Sequence, residues 1–347
     1  MEFDDARLEN AELLARHDPL LRQLALAGSR IRVEAAGLEM PALETPPQPR
    51  GIIAVGAEAR LIRAVLEPLC PVPFVAWALA GLPGWVGPLD LVIVLASGGP
   101  DAALLGTVGE AVRRGASVIV AAAPDSPVAD AAQSTSTLML PTRSGDPLAA
   151  AVVVLDVLHR IGIGPEVHPE SAAEAADLVA EACSPHRDLS TNPAKHLAIG
   201  LAEATPLVWG GSVLAARASR RVAEALRRNS GRPALAADAE DLAPILESAA
   251  SRDTFADPFE QASVLPPVLI VLDDGRGDEV SRSQGQRLVN LADSRGLRIC
   301  RLSCDQSGTE VDRYVSLLQQ GLFGAAYLGI GLGTAQSAAS GFWEPGR

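Results

Sequence analysis

The stretch Ser97-Gly98-Gly99-Pro100-Asp101 is the part of this sequence best suited to hold an anion. The apolar, strand-like run Leu91 to Ala96 empties into small residues just before a helix begins, so backbone N–H groups and the positive end of a helix dipole are presented together. The same residues also read as a plain helix start, with Ser97 or Asp101 capping and the glycines turning the chain. Gly56-Ala57-Glu58 closes an earlier strand in a similar position, but the Glu58 carboxylate would oppose a phosphate there, which points to a capping role. Asp273 and Asp274 end another apolar run. Carboxylates in that place can hold ribose hydroxyls or magnesium, or simply belong to the solvated turn Asp-Asp-Gly-Arg-Gly-Asp. Cys183-x2-His186 and Cys300-x3-Cys304 would supply four zinc ligands if the segments met; the plainer reading of Leu297 to Cys304 is a buried strand with reduced thiols. No G-x-S-x-G elbow, P-loop or G-x-G-x-x-G follows any strand, so no metal or cofactor is expected. Lys195 is the only lysine in the chain, so chemistry that needs an amine has one candidate.

The elements that would position these residues alternate as strand, loop and helix. Residues 1–25 read as a helix that Pro19 breaks or restarts. A Pro-rich lead-in over 42–50 precedes strand 51–55, a helix over 57–69, strand 90–96 and the helix after it, strand 116–123, a short helix, a further strand and a long apolar helix over 146–161. The pattern then restarts. It gives a helix over 171–183, a polar link, strand 206–211, an Arg-rich helix over 212–229, an irregular middle, strand 267–274, a helix over 279–295, strand 297–303 and a helix over 310–320. Continuous apolar strands between helices predict parallel sheets covered on both faces, with ligands at the carboxyl ends of the strands. We therefore expect two α/β domains, residues 1–163 with the leading helix and 164–347, with the junction near 162–190.

Composition narrows the classes further. Among 347 residues 48% are hydrophobic and only 3% aromatic, and the net charge is −13 with a pI near 4.9. The chain can bury a core without disulfides, but it would repel a nucleic-acid backbone or an anionic membrane and offers few aromatic rings for base stacking. The N-terminal stretch is acidic and amphipathic, and no uninterrupted apolar run has the length of a membrane span, so a cytoplasmic protein is expected with neither nucleic acid nor membrane as partner.

Several motifs carry a resemblance. Asn192-Pro193-Ala194-Lys195, followed by strand-like Pro206 to Gly210, resembles the N-P-A-K that opens the second domain of the bifunctional phosphoglucose/phosphomannose isomerases, a family of two tandem SIS domains. The run from Gly84 to Val94 resembles that family's entry to its sugar-phosphate loop, and Arg113 to Ile119 the helix-to-strand step after it. The chain also resembles a divergent actinobacterial branch of SIS proteins, and its Arg-for-Lys, Ala-rich composition fits a high-GC genome.

The resemblance implies two SIS-like domains, each a mostly parallel sheet flanked by helices, a homodimer, and a hexose phosphate as ligand. The family's phosphate loop reads roughly S-Y-S-G-N-T-E-E. Here it becomes Leu95 to Asp101, which leaves Ser97, Gly98 and Gly99 as ligand-binding residues. A family arginine falls on Leu148, with Arg143 near enough to substitute. The family's general base, the glutamate of N-E-N-x-K, falls on Arg228, and its ring-opening histidine falls on Pro244. No histidine follows His196, so a shifted register restores none. A sugar-phosphate binder that has lost isomerase catalysis is the reading this implies. The alternatives are an active aldose-ketose isomerase using Glu203, Glu224, Asp238, Glu240 or His196, and a dimerisation module without ligand.

Overall fold

The computed structural model describes residues 2–38, 48–96, 101–249, 265–305 and 307–335. A 3-10 turn over Asp5–Leu8 leads into α1 (Ala11–Arg16) and α2 (Asp18–Ala25). Asn10 caps α1 by accepting from the Leu13 N–H, and Pro19 stands in the first turn of α2, where its missing N–H costs nothing. Pro19 thus restarts the helix.

Next come α3 (Ala27–Ala36), β1 (Ile52–Gly56), α4 (Ala59–Leu66), β2 (Phe74–Ala76), β3 (Leu91–Ala96), α5 (Ala102–Arg113), β4 (Ser117–Ala122), α6 (Pro127–Ala131), β5 (Thr137–Pro141) and α7 (Pro147–Arg160). The five strands form one parallel sheet in the order β2-β1-β3-β4-β5. Every residue of β3 is buried, as its unbroken Leu-Val-Ile-Val-Leu-Ala sequence requires of a central strand, and Val94 pairs with Val55 on one side and Val120 on the other.

The second series is α8 (Pro169–Ala182), α9 (Pro193–Leu201), β6 (Thr205–Gly210), α10 (Val213–Ser230), β7 (Leu235–Ala236), α11 (Ala239–Ser248), β8 (Pro267–Asp273), α12 (Glu279–Ser294), β9 (Ile299–Ser303) and α13 (Glu310–Leu332). Its sheet, again parallel throughout, has the order β7-β6-β8-β9. The chain divides into two compact units. One is built on Ala27–Glu174; the other takes Ala175–Gly308, the described residues 312–335 and also Met1–Leu26. The leading helices, expected with the first domain by chain order, thus group with the second. There the Asp4 N–H donates to the Gly331 carbonyl at 3.1 Å and the Leu189 N–H to Glu9 Oε1 at 2.9 Å.

The last helix is twice the expected length. Its extension runs through Gly321, Gly324 and Gly329, residues that usually punctuate a helix. Here all three are required by packing, because a Cβ on Gly321 would collide with Val222 of α10, one on Gly324 with Leu197 of α9 and one on Gly329 with the Asn229 carbonyl. Among the described residues α13 is the one helix long and apolar enough to cross a membrane, yet 89% of its most apolar stretch is buried inside the fold, as in a core helix. Gly321→Ala tests this packing. Alanine should gain about 1 kcal/mol of helix propensity, but Val222 is β-branched and stiff in its helix, so overpacking should win and leave the variant about 1–2 kcal/mol less stable. A urea midpoint equal to or above that of the unmodified protein would contradict the close approach.

Candidate functional site

At the carboxyl edge of the first sheet, Asp101 ends the connection from β3 and caps α5. Its backbone is extended, and its carboxylate accepts from the N–H groups of Ala103 at 2.8 Å and Leu104 at 3.1 Å. The helix-start reading is therefore realised at Asp101, and a negative side chain occupies N–H groups that a phosphate would need. Ser97, Gly98 and Gly99 lie outside the described residues. Glu58, at the end of β1, is fully buried at the start of α4 and makes no side-chain capping bond.

Arg143 lies on the β5–α7 connection. Its guanidinium is exposed and makes no hydrogen bond or ion pair with the described residues, while its backbone N–H donates to both oxygens of Glu34, at 3.0 and 2.9 Å. Ser144 adds its N–H at 2.6 Å and its hydroxyl at 2.5 Å to Glu34 Oε1. Asp146 then caps α7 through the Leu148 and Ala149 N–H groups and receives the Arg30 guanidinium at 2.6 Å.

The corresponding edge of the second sheet holds a couple that sequence reasoning missed. After β6, Gly210-Gly211-Ser212 opens α10. The Ser212 hydroxyl accepts from the Ala215 N–H at 3.0 Å and donates to Asp274, the buried residue just beyond β8. The pairing of Gly210 with Leu272 brings the two strand ends together. The other Asp274 oxygen accepts from the Arg276 N–H at 3.1 Å and Asp273 from the Gly275 N–H at 2.9 Å, so both carboxylates are engaged in their turn. The signal available in the sequence was the Gly-Gly-Ser run after one strand and Asp-Asp after another, but only the strand register joins them.

The zinc quartet does not assemble. Among the described residues no three groups of metal-binding type come together. Cys183 is buried, with its thiol pushed up to about 12 by desolvation; Cys300 packs beside Gly200; Cys304 approaches the Asp273 carbonyl, its thiol raised to about 11 by burial and by the Asp274 charge. Such thiols stay protonated and unreactive at neutral pH.

The N-P-A-K motif is a structural device. Asn192 Oδ1 caps α9 by accepting from the Ala194 and Lys195 N–H groups, and its amide nitrogen donates to the Ser184 carbonyl at 2.9 Å. Lys195 is only 1% exposed. Its ammonium donates to the carbonyls of Arg187 at 2.8 Å and Pro185 at 3.2 Å and stands 5.7 Å from the centroid of the Tyr327 ring, whose hydroxyl donates to the Cys183 carbonyl at 2.7 Å. Desolvation lowers its pKa, against the opposing charges of Glu9 and Asp188. The lysine ties the 185–187 turn to α9 and α13 and faces no reacting group.

Residues 190–335 match the family model of the bacterial phospho-glucose isomerase C-terminal SIS domain. This part of the chain is a SIS domain of that family. The chain as a whole has the SIS fold, with two parallel sheets flanked by helices. It is similar to the C-terminal domain of glucosamine-fructose-6-phosphate aminotransferase from Francisella tularensis (12% identity, TM-score 0.67, covering 92% of this chain and 98% of that one). It is also similar to tagatose-6-phosphate ketose/aldose isomerase from Escherichia coli (11%, 0.62, 96% and 97%) and to a glucose-6-phosphate isomerase like protein from Thermus thermophilus (17%, 0.55, 95% and 93%). At these identities the likeness is one of fold, and the fold hosts both transferases and isomerases by name. No functionally curated protein matches the chain.

Within this SIS domain Arg228 lies exposed on α10, 2.7 Å from Glu224, which also receives Arg221 at 3.1 Å. Pro244 is an exposed residue inside α11. The other groups considered as displaced acids or bases are scattered over the surface. Glu203, Asp238, Glu240 and His196 are all exposed, and Glu224 is held between two guanidiniums. None of them donates to or accepts from another in the geometry that proton transfer between two sugar carbons requires.

Proposed function

We propose that this SIS protein binds a sugar phosphate and does not isomerise it. The observation that supports the reading is Arg228, at the position the resemblance assigns to the family's base: a permanently protonated side chain ion-paired to Glu224 on the helix surface. The sugar phosphate is placed on Ser97, Gly98 and Gly99 ahead of α5, with the unengaged Arg143 guanidinium as a second cationic contact. Relative to a full family loop, Leu95 and Pro100 remove two hydroxyl donors at about 0.5–1.5 kcal/mol each, an affinity loss of roughly 5- to 150-fold. The Asp101 carboxylate on the first N–H groups of α5 weakens it further.

A thermal-shift titration with glucose 6-phosphate and mannose 6-phosphate tests the site. The protein should gain a small shift at millimolar ligand, and Ser97→Glu should abolish it by placing a second carboxylate against the phosphate. An unchanged shift in Ser97→Glu would move the site elsewhere. The reading includes a homodimer, by analogy with SIS domains that pair through apolar helices. Light scattering at micromolar concentration should return twice the 36.0 kDa chain mass, and the single-chain mass would contradict it.

A further inference from the structure

The β5–α7 connection already holds a carboxylate, and that carboxylate belongs to the chain itself. Glu34, on the last turn of α3, is 3% exposed and its two oxygens accept from three donors: the Arg143 N–H, the Ser144 N–H and the Ser144 hydroxyl. Two consecutive backbone N–H groups converging on one acceptor make the kind of concavity that binds anions elsewhere. The Ser144 hydroxyl is oriented for the task, since its oxygen also accepts from the Asp146 N–H at 3.2 Å. Glu34, Gly37 and Leu38 form one wall of a small cleft whose other walls are Ala121 of β4, Leu140 and Pro141 of β5, and Ala150 and Val153 of α7. The end of α3 therefore covers the carboxyl edge of the sheet at β4 and β5. A Glu side chain gives up considerable rotamer freedom and hydration when buried, and among the described residues these three donors hold it, while the neighbouring Arg30 is paired with Asp146.

We infer that Arg143 and Ser144 form an oxyanion cradle and that Glu34 is its tethered occupant, an internal competitor that keeps α3 closed over the edge of the first sheet. The ligand class is a small carboxylate or phosphate oxyanion. Such an ion gains the cradle only when α3 yields it, so the unmodified protein should be indifferent to free oxyanions at this point. The inference concerns the cradle alone and stands or falls independently of whether hexose phosphates bind elsewhere.

The test removes the tethered occupant and offers a free one. Glu34→Ala, melted in chloride, formate and inorganic phosphate at equal ionic strength, should have a lower Tm than the unmodified protein in chloride and recover part of the loss in formate or phosphate. The unmodified protein sets the baseline for the three salts, because phosphate stabilises any folded surface by exclusion and can also reach the Ser97 loop; the gain in Glu34→Ala should exceed that baseline. Adding Ser144→Ala to Glu34→Ala removes one of three donors and should weaken the apparent formate affinity about fivefold. A Glu34→Ala gain in formate or phosphate no larger than that of the unmodified protein would overturn the cradle, as would an equal rescue in the Ser144→Ala double variant. If Glu34→Ala does not fold, Glu34→Gln takes its place. That variant sets an amide against three donors in the same volume and should melt below the unmodified protein; an unchanged Tm would contradict the inference.

Discussion

Purified protein, assayed with coupled detection of fructose 6-phosphate, should show no turnover of glucose 6-phosphate or mannose 6-phosphate above background. Aldose-ketose isomerisation moves a proton between adjacent carbons, and each positioned acid or base contributes about 10²- to 10⁴-fold. The positions that the resemblance assigns to the family's base and ring-opening groups hold residues without that capacity: Arg228 is cationic and paired with Glu224, and Pro244 carries no titratable group. Installing both family residues, as Arg228→Glu with Pro244→His, should not restore activity. The carboxylate introduced on α10 would face Glu224 one helical turn away, where like charges repel, and the introduced imidazole would start from an exposed helix face. Turnover above about 1 s⁻¹, the lower end of the ordinary enzyme range, would show that another group acts as the base.

Lys195→Ala should be the most damaging single change to stability. It strips the carbonyls of Pro185 and Arg187 of their donor, removes the cation over Tyr327 and leaves the volume of a long buried side chain empty. Together these predict a loss of about 2–4 kcal/mol, a large share of a typical domain's stability. Lys195→Met separates the causes: it refills the stem and restores packing while leaving the carbonyls unpaired, so it should fall between the two. Denaturant midpoints measure both. An alanine variant within about 0.5 kcal/mol of the unmodified protein, the range of a surface substitution, would mean that the buried ammonium contributes nothing net.

The central strands of both sheets were legible because each is a short, continuous apolar run, whereas the two- and three-residue edge strands β7 and β2 carry too little sequence to signal themselves. β3, β4, β6 and β8 fall within a residue or two of expectation. What escaped has physical causes. α3 buries Ala27, Gly28, Ile31 and Glu34, a helical face with one large apolar residue and a carboxylate whose partners lie more than a hundred residues away. α11 buries Ala239, Leu242, Ala243 and Leu246 at helical spacing, but Pro244 on the opposite side breaks the local signal. The N-P-A-K segment read as the end of a polar link, although an Asn cap followed by Pro at the first position is a helix start, as α9 shows. The extension of α13 past residue 320 escaped because the side chains its glycines make room for, Val222 and Leu197 among them, are distant in sequence. In the candidate site, the capping role of Asp101 was visible locally, whereas Glu34 on Arg143 and Ser144, and Ser212 on Asp274, depend on tertiary register.

The central claim is binding without isomerisation, and one measurement reads both parts at once: the phosphorus NMR spectrum of glucose 6-phosphate incubated with stoichiometric protein. The account predicts a protein-dependent shift or broadening of the glucose 6-phosphate resonance, absent with Ser97→Glu, and no fructose 6-phosphate signal after hours. A growing fructose 6-phosphate resonance, or a glucose 6-phosphate line unmoved by the protein, would contradict it.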